Sequence, residues 1–165
     1  MTQQGAMAYS LPQKALHWLM ALLIFFNLIF SDGIEEWDRA VDSGSVTPDQ
    51  IASADIHAYV GFAILGLAVL RLILRFTQPV PAPPAEEPPL FQLGAKLAHG
   101  SFYVLFFVMP VLGALKYYGD VDVAGFLHAG PVKLVLWLLI GIHILAIPVH
   151  RLLWKSSIMA RMTTG

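Results

Sequence analysis

Six histidines carry whatever chemistry this chain performs: His17, His57, His99, His128, His143 and His150. Imidazole is a metal ligand, a proton carrier and a hydrogen-bonding group on either nitrogen. There is no cysteine, which excludes disulfides, iron–sulfur clusters, thiolate zinc sites and covalent haem attachment. All six histidines fall within or just beside long apolar stretches, and none lies in a long loop. An ionisable side chain in such a stretch is costly and usually functional. A single one is as well explained by a neutral hydrogen bond between helices. Six of six placed this way points to ligation, or to direct use of the imidazoles in moving metal ions or protons.

Their spacing sorts them by depth. His17 and His57 sit towards opposite ends of two apolar stretches. His128 and His143 are separated by fifteen positions, roughly 22 Å along a continuous helix, and differ by about 60° in direction. The arrangement predicts an outer level of His57 with His128 and an inner level of His17 with His143. Two imidazoles facing each other across a bundle can hold a haem iron on both axial sides, a geometry for electron exchange rather than oxygen binding. Arg75 lies eighteen residues beyond His57, five full turns, and Arg71 lies within about 40° of the same stripe. Both are placed to meet haem propionates, or to anchor the helix at the membrane boundary. Gly61 and Gly141 either admit a flat macrocycle or serve helix packing.

The elements that must position these residues follow from composition. The chain has 165 residues, 57% hydrophobic and 13% charged, with mean hydropathy +0.67. Soluble domains carry about 25% charged residues. Four stretches reach the roughly 20 apolar residues that cross a bilayer: about 11–31, 48–76, 93–117 and 131–154. The expected fold is all-α, an integral membrane four-helix bundle forming a single domain over 1–165. Ser10-Leu11-Pro12-Gln13 and Thr47-Pro48-Asp49-Gln50 are capping boxes with an early proline. Residues 32–47 read as an acidic polar linker and 77–89 as an extended proline-rich one. Pro110 and Pro148 are expected to kink their helices. No cleavage signal ends the first apolar run, so that helix is expected to stay in the mature protein.

Charge sets the direction. Lys14, Arg71, Arg75, Lys96, Arg151, Lys155 and Arg161 fall on one side; Arg39, Lys116 and Lys133 fall on the other with nine of the eleven acids. The basic side should face the cytoplasm. Both termini are then expected to be cytoplasmic. Trp18 and Trp154 mark the inner boundary, Tyr117 and Tyr118 the outer.

The sequence resembles the bacterial cytochrome b561 family over nearly its whole length. The residues that carry the resemblance are LHW at 16–18, DIHAYVG at 55–61, RLILR at 71–75, AHGSFYVLFFVMPVLG at 98–113, GIH at 141–143 with His150 seven on, and LWKSSIMARM at 153–162. The resemblance implies two b-type haems, with axial ligands at His17, His57, His128 and His143, and electron transfer to or from quinone, ubiquinone among them. One member type oxidises superoxide, so a superoxide:ubiquinone oxidoreductase is one implied activity. The other reading is a haem b anchor subunit relaying electrons for a partner dehydrogenase or hydrogenase. The family usually has one residue fewer between the two ligands of the last helix; Gly130-Pro131 offers a place to absorb the extra one. His99 and His150, near the inner boundary, are candidates for a quinone site or for hydrogen bonds to propionates, to each other or to lipid headgroups. The acidic outer side would repel superoxide, leaving Lys116 and Lys133 as local attraction. Expected partners are membrane lipid, quinone, and superoxide or a redox protein, with no nucleic acid.

Overall fold

The computed structural model describes residues 8–164; residues 1–7 and Gly165, on which the placement of the chain ends rests, lie outside the described residues. Helices account for nearly all of it. α1 spans Leu11–Ile29, α2 Asp32–Ser43, α3 Pro48–Thr77, α4 Pro89–Gly119, α5 Asp122–Leu127, α6 Lys133–Leu153 and α7 Ile158–Met162. Four helical stretches are long and apolar enough to cross a membrane: Leu11–Ile29, Pro48–Thr77, Pro89–Gly119 and Asp122–Leu153. Leu22, Leu70, Leu138 and Ile142 on these stretches are all more than half exposed. Apolar side chains turned outward along whole helices suit a lipid surround, and helices satisfy their backbone polar groups internally there.

Both capping boxes form. Ser10 Oγ accepts from Gln13 N–H at 3.4 Å while Gln13 Oε1 accepts from Ser10 N–H at 3.1 Å. Thr47 and Gln50 do the same at 3.4 and 2.9 Å. Each pairing satisfies two amides that helix geometry would leave orphaned, so the helix starts where the sequence says.

Two elements differ from the sequence reading. Residues 32–43, read as a polar linker, form α2. Its few apolar side chains, Ile34, Trp37 and Val41, share one flank, and Gly44 ends it in the left-handed conformation at φ 69°. α2 docks on α3 at Gly33, where an added Cβ would stand 1.9 Å from Ser53 Oγ, so the close approach requires glycine. The last span begins at Asp122, not near Pro131. α5 runs into a wide turn over His128–Val132, in which Gly130 leaves helical geometry at φ −103°, ψ −106°, before α6 resumes. Pro131 supplies no amide to the ladder there.

α1 packs on α3, α3 on α4 and α4 on α6; α6 closes the ring against α1 through side chains such as Phe25 and Trp137, 6.3 Å apart. The core is two small clusters, Met20 with Ile64 and Ala68, and Leu105 with Leu136 and Ile140. They fill the middle of the bundle, between the levels at which the histidines sit. One end gathers the start of α1, the proline-rich segment and α7. Arg161 Nη1 donates to Ala82 O at 2.6 Å, Trp18 Nε1 to Met162 O at 2.9 Å, and Ser10 Oγ to Gln78 Oε1. The other end carries α2, α5 and the end of α4.

Candidate functional site: two histidine pairs at two depths

The bundle brings four of the six histidines together as two pairs. His57 on α3 and His128 at the wide turn have ring centres 6.1 Å apart, with planes at 77°. His17 on α1 and His143 on α6 have ring centres 6.0 Å apart, at 56°. A metal–imidazole bond of about 2 Å, plus about 1.1 Å from nitrogen to ring centre, puts two trans imidazoles on one metal about 6.2 Å apart. Both pairs stand at that separation. Among the described residues no group of three or more His, Cys, Asp or Glu is placed to hold a bare ion. A macrocycle that brings four nitrogens of its own needs only the two that each pair offers.

The outer pair lines an open cavity of about 200 Å³, walled by Leu105, Phe106, Met109 and Gly113 of α4 and roofed by Ile34 and Trp37 of α2. His128 Nδ1 donates to Met109 O at 2.9 Å. Since a carbonyl only accepts, His128 carries its proton on Nδ1 and leaves Nε2 as a lone pair, the form a ligand needs. Gly113 makes room for that ring: an added Cβ would lie 3.1 Å from His128 Cε1 and 3.3 Å from its Nδ1. Three buried side-chain atoms among the described residues lack a hydrogen-bond partner; Asp38 Oδ1 is ion-paired with Lys116 at 3.5 Å, which leaves Asn27 Oδ1 and His57 Nδ1 unpaired. Both residues line this cavity. Unpaired buried polar atoms are rare in native proteins, and their concentration here fits a cavity built around a polar-edged group.

The inner pair is set differently. Arg71 Nη1 lies 3.0 Å from His17 Nδ1. Arginine only donates, so this contact makes Nδ1 the acceptor and puts the ring proton on Nε2. Ligation through Nε2 needs the opposite tautomer, with Arg71 turned to an anion instead, as a propionate would provide. Arg75 lies over the Tyr103 ring, 5.9 Å from its centre.

His99 and His150 make separate contacts. His99 stands 5.8 Å from His143, ring centre to ring centre, with Nδ1 donating to Ala95 O at 2.7 Å. His150 is buried: Nε2 lies 3.4 Å from Glu87 Oε1, Nδ1 lies 3.1 Å from Ser156 Oγ, and Trp154 packs on the ring at 4.7 Å. Both its nitrogens are engaged within the protein. Lys116 and Lys133, read as local attraction for an anion, are already neutralised. Lys116 Nζ is 2.8, 3.2 and 3.5 Å from carboxylates of Asp122, Asp120 and Asp38, and Lys133 is 3.5 Å from Glu35.

A sequence model of prokaryotic cytochrome b561 matches residues 8–165. The chain belongs to the prokaryotic cytochrome b561 family. It is 30% identical over 162 residues, 98% of each chain, to cytochrome b562 of Cereibacter sphaeroides. It is 27% identical over 174 residues to a probable superoxide oxidase of Yersinia pestis, covering 93% of this chain and 94% of that one. Cytochrome b561 homolog 2 of Escherichia coli is 24% identical over 107 residues, 65% of this chain and 54% of that one. Membership implies a b-type haem cofactor and haem-based electron transfer across a bacterial membrane.

Sequence reasoning missed Asn27, the Met109 carbonyl and Gly113. Asn27 left one signal, a lone amide inside the apolar run of α1. The other two act through contacts across the bundle that no spacing announces.

Proposed function

We propose that this cytochrome carries electrons between a donor at the acidic end and quinone at the basic end, through two b-type haems held by His57 with His128 and by His17 with His143. The carrying observation is the two histidine pairs, at 6.1 and 6.0 Å, at opposite depths of one bundle. A haem held there by the two imidazoles of each pair would supply reversible one-electron exchange. The protein's part is positional. His128 is fixed by Met109 O, the inner pair lies beside Arg71 and His99, and the apolar clusters keep water from the space between the levels.

The basic end faces the cytoplasm of the inner membrane, by the seven-to-three division of basic residues. A reporter inserted after Pro84 should then read as cytoplasmic and one after Ser43 as periplasmic; the reverse pattern would invert the direction of electron flow. Superoxide, the substrate in the name of the Yersinia relative, is the small donor this reading takes. The purified chain should contain two haems, both low-spin. His57→Ala should remove one spectral component and His143→Ala the other. One haem per chain, or loss of the same component in both variants, defeats the two-level arrangement. If superoxide fails to reduce the haems of the isolated protein, the relay for a partner dehydrogenase or hydrogenase replaces the oxidase reading.

A further inference from the structure

Asn27 is ten residues beyond His17 on α1, about 15 Å towards the outer end. A buried amide in the apolar last turn of a membrane helix costs free energy unless both its halves are bonded. Only half of this one is. Asn27 Nδ2 donates to the backbone carbonyl of His57 at 3.1 Å. A carbonyl cannot donate, so the nitrogen of the amide must be the atom facing it, and the orientation of the carboxamide is fixed. The other half, Oδ1, is buried with no partner. On the same residue that receives the amide proton, His57 Nδ1 is also buried with no partner. One orphan is an obligate acceptor and the other is a ring nitrogen that carries the proton whenever Nε2 serves as a ligand. Asn27 and His57 both line the outer cavity.

We propose that Asn27 is the positioning residue of the outer centre: its Nδ2 already holds the His57 carbonyl, and its Oδ1, which makes no bond as it stands, accepts the Nδ1–H of His57 once Nε2 is a ligand. The two bonds clamp backbone and ring of one residue from one side chain. They turn His57 Nε2 towards His128 and make the imidazole a stronger electron donor to whatever metal it ligates. Ligating histidines almost always give their second N–H to such an acceptor. On His128 the Met109 carbonyl does this; on His57 no backbone acceptor does, and Asn27 takes the role. The proposal rests on His57 being an axial ligand.

The test is a redox titration of the purified holoprotein with Asn27→Leu, Asn27→Ala and Asn27→Asp, reading each haem's midpoint potential. Losing the acceptor weakens donation to the oxidised iron, so in Asn27→Leu and Asn27→Ala the outer potential should rise. The expected size is about a tenfold change in the oxidised-to-reduced equilibrium, 59 mV for one electron. The inner potential should stay where it was. Asn27→Asp keeps the acceptor oxygen, so its outer potential should lie at or below the parent value. Should Asn27→Leu lose the outer haem altogether, the Ala and Asp variants still decide. An unchanged outer potential in Leu or Ala overturns the proposal. A rise in Asp equal to that in Ala also overturns it, because it would mean that Asn27 only ties α1 to α3. If His57→Ala leaves the outer spectral component in place, the ligand assignment beneath the proposal fails, which is a different result from an unmoved potential.

Discussion

At the level of single residues, the histidines announce themselves, because an ionisable group in a 20-residue apolar run has few cheap explanations. Their depths are legible too, since helix rise and rotation are fixed. What surrounds them is not. Gly113 reads in sequence as one more small residue in a membrane helix, yet the structure shows the His128 ring filling the space a side chain would take. Replacing it with alanine brings two opposing effects. Helix propensity favours alanine by about 0.8–1 kcal/mol. Against that, the new methyl would meet Cε1 at 3.1 Å, on a ring that cannot swing freely while its Nδ1–H stays on Met109 O. Overpacking of this kind typically costs 1–3 kcal/mol, falling here on the ring rather than on the helix. Gly113→Ala should therefore leave the fold as stable as before and weaken retention of the outer haem about tenfold, the low end of what disturbing an outer-shell partner costs. Haem-to-protein ratio after dialysis against a haem-binding protein measures it. Equal loss of both spectral components would show that the contact does not belong to the outer site alone.

Among the elements, the long helices were readable from hydropathy and caps, and two stretches were not. α2 is dense in charge, with Asp32, Glu35, Glu36, Asp38, Arg39 and Asp42 in twelve residues, so its short apolar flank gives little signal. Its helix is secured by docking, through Gly33 on Ser53 and Trp37 on Tyr117 at 4.6 Å, and docking is a tertiary fact. The second is the wide turn at His128–Val132. Gly130-Pro131 marked a break in sequence, but not that helix continues on its far side to Asp122. A wide turn holds an extra residue without passing its 100° rotation down the helix. Removal of Ala129 should therefore shorten the turn to ordinary helix and keep His128 facing His57, with both haems retained. Removal of Leu138, inside uninterrupted α6, should rotate His128 and His143 out of register and abolish at least one haem. Pigment loss on deleting Ala129, at a level matching the Leu138 deletion, would mean that the turn is needed as it stands.

Across the whole molecule, segregation of charge was the most legible feature of all, and its consequence is kinetic. The described outer end carries Asp32, Glu35, Glu36, Asp38, Asp42, Asp49, Asp55, Asp120 and Asp122 against three basic residues. Lys116 and Lys133 bridge α4 and α6 to α2, so the structure uses them to hold the roof of the outer cavity rather than to present positive charge. Exposed pairs of this kind contribute about 0–1 kcal/mol each, so their weight is in the local field. An anion approaching that mouth meets net repulsion, and a cationic protein meets attraction. At physiological ionic strength the field is screened within about 8 Å, and at low salt it reaches much further. Superoxide-driven reduction of the haems should therefore accelerate as salt is raised from low to physiological levels. Asp38→Asn and Asp122→Asn should each accelerate it at low salt and flatten the salt dependence. Lys116→Met, which leaves three carboxylates without their shared cation, should slow it. Stopped-flow absorbance in the haem bands, with superoxide generated in the mixing chamber, reads all four rates. A rate that falls with salt would show that the mouth attracts the anion despite its carboxylates, and the field argued from these side chains would be wrong. Reduction by a basic soluble electron carrier should show the opposite slope, fastest at low salt. The sign of the dependence thus separates a small anionic donor from a docked cationic one on the same protein.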